Sequence, residues 1–189
     1  MNANSNTPIE KNSELNPDAN ENFNFIKAAL SEKLKVNKFT FKLIYKATRD
    51  GDSEEEFHSK CDNINNNLII IKTKENNIFG GFTTTLLNRC GNYNYDTYSF
   101  LFSLNKKIIY SINKEYFELA IFCGKGFCIK FGHNYGDLVL KNRFLSSNNN
   151  YVYNGPAYFD KNDPAFILNN GMRNFFVNEC EIYQVIPQI

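Results

Sequence analysis

The sequence has no tryptophan, only two histidines, and no excess of charge of either sign: 21 Lys and Arg stand against 20 Asp and Glu. Phosphate neutralisation needs a concentrated cationic face, and the basic residues here are scattered, so nucleic acid is not an expected partner. Runs such as Leu68–Ile71 and Leu119–Cys123 fall far short of the ~20 apolar residues that span a bilayer. No transmembrane segment is therefore expected. The start of the chain lacks a basic segment followed by an apolar one, so no secretory leader is expected either. Although Asn is abundant, no N-x-S/T acceptor occurs. CxxC and HExxH are also missing, which leaves no motif for a metal centre. The five cysteines (Cys61, Cys90, Cys123, Cys128 and Cys180) form an odd set without framework spacing. Taken together, these absences point to free thiols in a reducing compartment, with the cytoplasm as the expected location.

What is present describes one folded domain. The 189 residues, 42% hydrophobic and 22% charged, suffice for a single real core. The 18 Phe and 11 Tyr suit half-buried pleated surfaces and tilt the expectation towards strands. Asn runs at Asn65–Asn67 and Asn148–Asn150 read as compositional bias filling tolerant loops.

Residues 1–22 hold only Ile9 and Leu15 as sizeable apolar groups and are expected to be a disordered Asn-rich tail, with the domain over 23–189. Phe23, Ile26, Ala29, Leu30 and Leu34 recur at helical spacing, with Asn22 as candidate cap. Phe39–Tyr45 reads as a strand that ends in the Arg49-Asp50-Gly51-Asp52 turn. Ser53 with Glu56 fits a capping box for a short helix to about Lys60, with Phe57 on its inner side. Hairpins are expected from 68–73 with 78–83, and from 98–104 with 107–112. Three short strands follow at 118–123, 127–131 and 137–140, then an Asn-rich surface loop over 144–170. A last strand or strand pair covers 173–185. The expected fold is α+β but mainly β, a two-sheet antiparallel sandwich flanked by short helices.

Three constellations could carry chemistry, and each has a plainer reading. His58 and Cys61 stand three apart, as a thiolate–imidazole pair would need; a small buried thiol beside a surface histidine is the simpler account. Cys123-Gly124-Lys125-Gly126-Phe127-Cys128 looks like a phosphate loop, but lacks Ser or Thr after its Lys and joins two strand-like runs, so it reads as a hairpin turn. Glu179 and Glu181 lie about 7 Å apart on one strand face, a spacing open to acid–base work and equally to solvated or Arg-bonded carboxylates.

In order along the chain, these segments resemble the TLDc domain family, in the form common in protist proteins. Leu43–Gly51 is similar to that family's strand and RDG turn, and Phe57-His58-Ser59-Lys60-Cys61-Asp62 to its FHxKCD segment. Leu68–Lys72 with Ile78-Phe79-Gly80-Gly81-Phe82 resembles its LxIIK and IFGG hairpin, and Ser99–Leu104 its FLFSL strand. Phe175–Gln184 looks like its closing FxVxExEVYQ. The FGGGxD stretch departs, standing as Phe131–Asp137 with fewer glycines. The resemblance implies a sandwich flanked by helices, no established catalytic activity, no cofactor and no metal. It also implies a role in oxidative-stress protection, and protein partners that include vacuolar proton-pumping ATPase subunits. Its shared positions Arg49, Asp50, Gly51, Gly80, Gly81, Gly132, Asp137, Glu179 and Glu181 are expected to hold the fold rather than form a site. Arg49 and Asp50 are expected to bond Glu179 or Glu181. A structural subunit of a large assembly, and a thiol- or carboxylate-based enzyme, are the alternative functions.

Overall fold

The structure is a computed structural model and describes residues 13–153, 155–159 and 168–188. Among these, two six-stranded antiparallel sheets face each other.

The first sheet contains β1 (Phe39–Lys46), β2 (Asn67–Thr73), β3 (Ile78–Thr83), β5 (Phe100–Ser103), β6 (Ile108–Ser111) and β12 (Val177–Pro187), in the order β1-β12-β2-β3-β5-β6. The second contains β4 (Tyr93–Asn94), β7 (Ile121–Gly124), β8 (Phe127–Phe131), β9 (Leu138–Lys141), β10 (Asn150–Val152) and β11 (Asn174–Phe175), in the order β11-β10-β9-β8-β7-β4. Helix α1 (Asn24–Leu34) precedes β1; the single turn α2 (Ala47–Asp50) and α3 (Glu54–Cys61) follow it.

The apolar run Leu68–Ile71 is explained by its two neighbours. Ile69 and Ile71 point into the core shared with the second sheet, while Leu68 and Ile70 pack with Phe23, Ile26 and Leu30 around α1. β5 divides in the same way, Leu101 to one side and Phe100 and Phe102 to the other. The first sheet is thus the middle of three layers, and a strand buried on both faces carries no polar alternation.

Ser53 caps α3 as expected: its hydroxyl accepts from the Glu56 amide, and the Glu56 carboxylate accepts from the Ser53 amide. Three expectations need correction. Order begins before Phe23. Residues 1–12 of the expected tail lie outside the described residues, but from Ser13 the chain runs over the first sheet, with Leu15 buried and the Ser13 hydroxyl donating to Glu181. Asn20, not Asn22, caps the opening turn, accepting from the Asn22 amide ahead of the 3-10 turn Glu21–Phe23. Finally, 144–170 is not a surface loop where it is described. Phe144, Val152, Ala157 and Tyr158 are buried in the inter-sheet core, and β10 lies within it.

Candidate functional site

The shared positions fall into three places. At the first, α2 folds the chain back beside β12. Arg49 donates to Asp50 through Nε at 2.9 Å and Nη2 at 2.8 Å, and Asp50 Oδ2 also accepts the Lys46 amide at 2.9 Å. The Arg49 side chain beside it holds the Asp50 carboxyl below the usual carboxylate range. Gly51 has φ +95°, and a Cβ there would meet the Glu56 carboxylate at 2.2 Å, so the capping box closes over a position that only glycine fills without strain. Its carbonyl accepts the buried Tyr45 hydroxyl.

Glu179 and Glu181 reach this corner with separate partners. Glu179 accepts from the Thr48 amide and hydroxyl and from the Cys180 amide. Glu181 is fully buried and accepts from Ser13 and from Tyr183 at 2.6 Å, with Lys46 Nζ at 3.3 Å. Bonds from Arg49 or Asp50 to these carboxylates were the expectation; the bonds found run to Thr48, Ser13, Tyr183 and Lys46. A general acid or base must offer a free lone pair or proton to a substrate, and these oxygens are occupied within the protein.

At the second place, Gly80 and Gly81 sit in the middle of the first sheet. A Cβ on Gly81 would lie 2.6 Å from the Phe131 ring of the opposing sheet, and one on Gly80 would lie 1.9 Å from the Ile69 carbonyl oxygen. Both are positions of close approach.

At the third, Gly132 and Asp137 enclose a carboxyl group with no exposure. Its oxygens face the backbone of Gly155, Ala157 and Tyr158 without closing a hydrogen bond of good geometry. Burial pushes this carboxyl up to about 8, against the pull of those amides. Gly132, at φ +87°, leaves the room that Asp137 occupies.

The thiol reading changes. His58 is buried rather than on the surface; Nδ1 lies 2.6 Å from Asp62 and Nε2 lies 3.3 Å from the Phe127 carbonyl. It braces α3 against β8. Burial lifts Cys61, Cys128 and Cys180 well above the ordinary thiol range and Cys123 to about 12, the opposite of nucleophile activation. Among the described residues Cys90 is the exposed thiol, and all five are unpaired. The phosphate-loop lookalike is the β7–β8 turn, and its Gly126 amide donates to Glu54 at 2.6 Å. Among the described residues no group of three or more His, Cys, Asp or Glu side chains could hold a metal, and no helix is long and apolar enough to cross a membrane.

One surface was not anticipated. The outward face of the second sheet carries Lys130, Lys141 and Arg173, each set against aromatic rings. Lys130 Nζ lies 4.4 Å from the Phe122 centroid and 4.9 Å from that of Tyr93, and donates to the Tyr93 hydroxyl. Lys141 lies 5.3 Å from the Tyr151 ring, and Arg173 lies 4.6 Å from that of Tyr153. The signal in the sequence is a set of aromatic and cationic residues spread over five short strands, β4 and β7–β10, too short for periodicity to register.

Two antiparallel sheets with close-approach glycines at their seam, and carboxylates bonded within the protein at one corner, define a sandwich domain of structural rather than catalytic design. The TLDc domain model matches residues 18–186, and the chain belongs to that family. A search of the curated proteins finds no match to the chain.

Proposed function

We propose that the chain is a non-enzymatic, cytoplasmic protein-interaction domain that regulates a vacuolar proton-pumping ATPase or serves protection against oxidative stress, the pump being the reading tested below. The observation that carries this reading is the TLDc match over 18–186, in a family that is generally non-enzymatic. The internal bonding of Asp50, Glu179 and Glu181 supports it. So do four buried thiols whose burial disfavours the thiolate, since a redox nucleophile needs the opposite. The pump assignment itself rests on family analogy, because a fold hosts many functions.

Affinity purification from the source cell tests it. Pump subunits in the eluate are the expected result. Subunits of a cytoskeletal or other large assembly in their place would overturn the pump reading in favour of a structural component.

A further inference from the structure

The two sheets differ in what covers their outer faces. The first is roofed by residues 13–34, with Leu15, Phe23, Ile26 and Leu30 packed onto it. Among the described residues no element is packed in the same way over Lys130, Lys141 and Arg173 on the second. Tyr93, Phe122, Phe127, Tyr151 and Tyr153 there are only half-buried, and Tyr135 at the lower rim is 68% exposed. None of the three cations is ion-paired with a carboxylate among the described residues, whereas Lys46, Arg49, Lys72 and Arg89 all are.

We propose that this face is a docking surface for an acidic, extended segment of a protein partner. Lys130 is buried, its Nζ donating to the Tyr93 hydroxyl and the Asn134 carbonyl. Lys141 and Arg173 are therefore the cations that an incoming carboxylate meets, and neither is ion-paired among the described residues; that complementarity is what selects a partner at an interface. The rings fix the cations in place by cation–π contact, so their N–H groups are ordered before the partner arrives and little side-chain entropy remains to be lost. Tyr135, stacked against Tyr153 with centroids 5.5 Å apart, adds an aromatic rim of the kind that anchors interfaces. Single-stranded nucleic acid fits less well. It stacks its bases on open ring faces, and here the cations already lie over those faces. The chain's near-zero net charge also gives a polyanion little long-range attraction. Glu10 is the sole acidic residue among 1–12, so the chain's own first segment lacks the charge to be the occupant.

This proposal rests on reading the chain as a protein-interaction domain, and the test separates the two. The full chain is titrated with a fluorescent Asp/Glu-rich peptide, its Asn/Gln counterpart and single-stranded DNA of equal length. The same titrations follow with the double variant Lys141→Glu/Arg173→Glu, whose exposed or half-exposed positions leave the core alone; unchanged circular dichroism and melting verify that fold. The acidic peptide should bind, the neutral one should not, binding should weaken with salt, and the double variant should lose roughly tenfold or more. Equal binding of both peptides, tighter binding of the DNA, or an unaltered affinity in the double variant would overturn the proposal. So would a dimer of the wild-type chain that the double variant abolishes, since that would give the face to a second copy. A cellular partner captured equally by wild type and double variant would overturn this surface and leave the interaction-domain reading standing.

Discussion

Asp137 is the residue whose environment makes the sharpest claim. Its carboxyl is raised from 3.8 to about 8 by burial, so the folded chain keeps a proton that the unfolded chain gives up near 4. Where the native state binds more protons, stability falls as pH rises. This contribution is fully present below about pH 4, declines through the interval and is lost above about pH 8, to a total on the order of 5 kcal/mol at most. Asp137→Asn removes the titration. Melting temperatures of wild type and variant should lie close at about pH 3 and separate by pH 9, with the variant the more stable; parallel curves would show that the Gly155–Tyr158 amides dominate after all. Gly81 makes a simpler claim. Adding a methyl 2.6 Å from Phe131 overpacks the seam between the sheets, and Gly81→Ala should cost about 1–3 kcal/mol in denaturant unfolding.

Among elements, α3 shows how far local sequence rules reach. Its capping box was legible because the Ser53–Glu56 spacing is a local pattern, and Ser53→Ala should cost about 1 kcal/mol. The burial of His58 was not legible, because it depends on Phe127, 69 positions away. The same reason hid the buried side of 144–170: Phe144, Val152 and Tyr158 sit in an Asn-rich stretch whose local composition reads as loop. β4 and β11, two residues each, are too short to show any alternation. Residues 13–22 have the low apolar content of a tail, yet Leu15 and the Ser13–Glu181 bond attach them to the first sheet. Glu181→Ala should release that strap, because it removes the acceptor of the Ser13 hydroxyl. Amide exchange at residues 13–20 should rise more than in the sheets. Uniform protection would show that Leu15 alone holds the segment.

For the whole molecule, the place of β12 between β1 and β2 joins distant residues and no local pattern shows it. The two-sheet sandwich, by contrast, follows from runs that the sequence displays openly, above all Leu68–Ile71 and the strand with Gly80 and Gly81 beside it. The cation–aromatic face was invisible for the converse reason, since it is assembled from single residues on separate strands. The candidate residues fall in three places, and at one of them Arg49–Asp50 and Thr48–Glu179 form a bonded framework. The chain is a TLDc domain, a class consistent with a protein-interaction role. Its accessible chemistry among the described residues is one thiol, Cys90, so native alkylation should modify that cysteine quickly and the other four only on unfolding. The central claim is that binding, not thiol or carboxylate chemistry, is the working property of the chain. Its most direct test is partner capture from cell extract by the intact chain and by the chain alkylated natively at Cys90. Equal recovery of the same proton-pump subunits by both is the predicted result; loss of capture on alkylation would contradict the account.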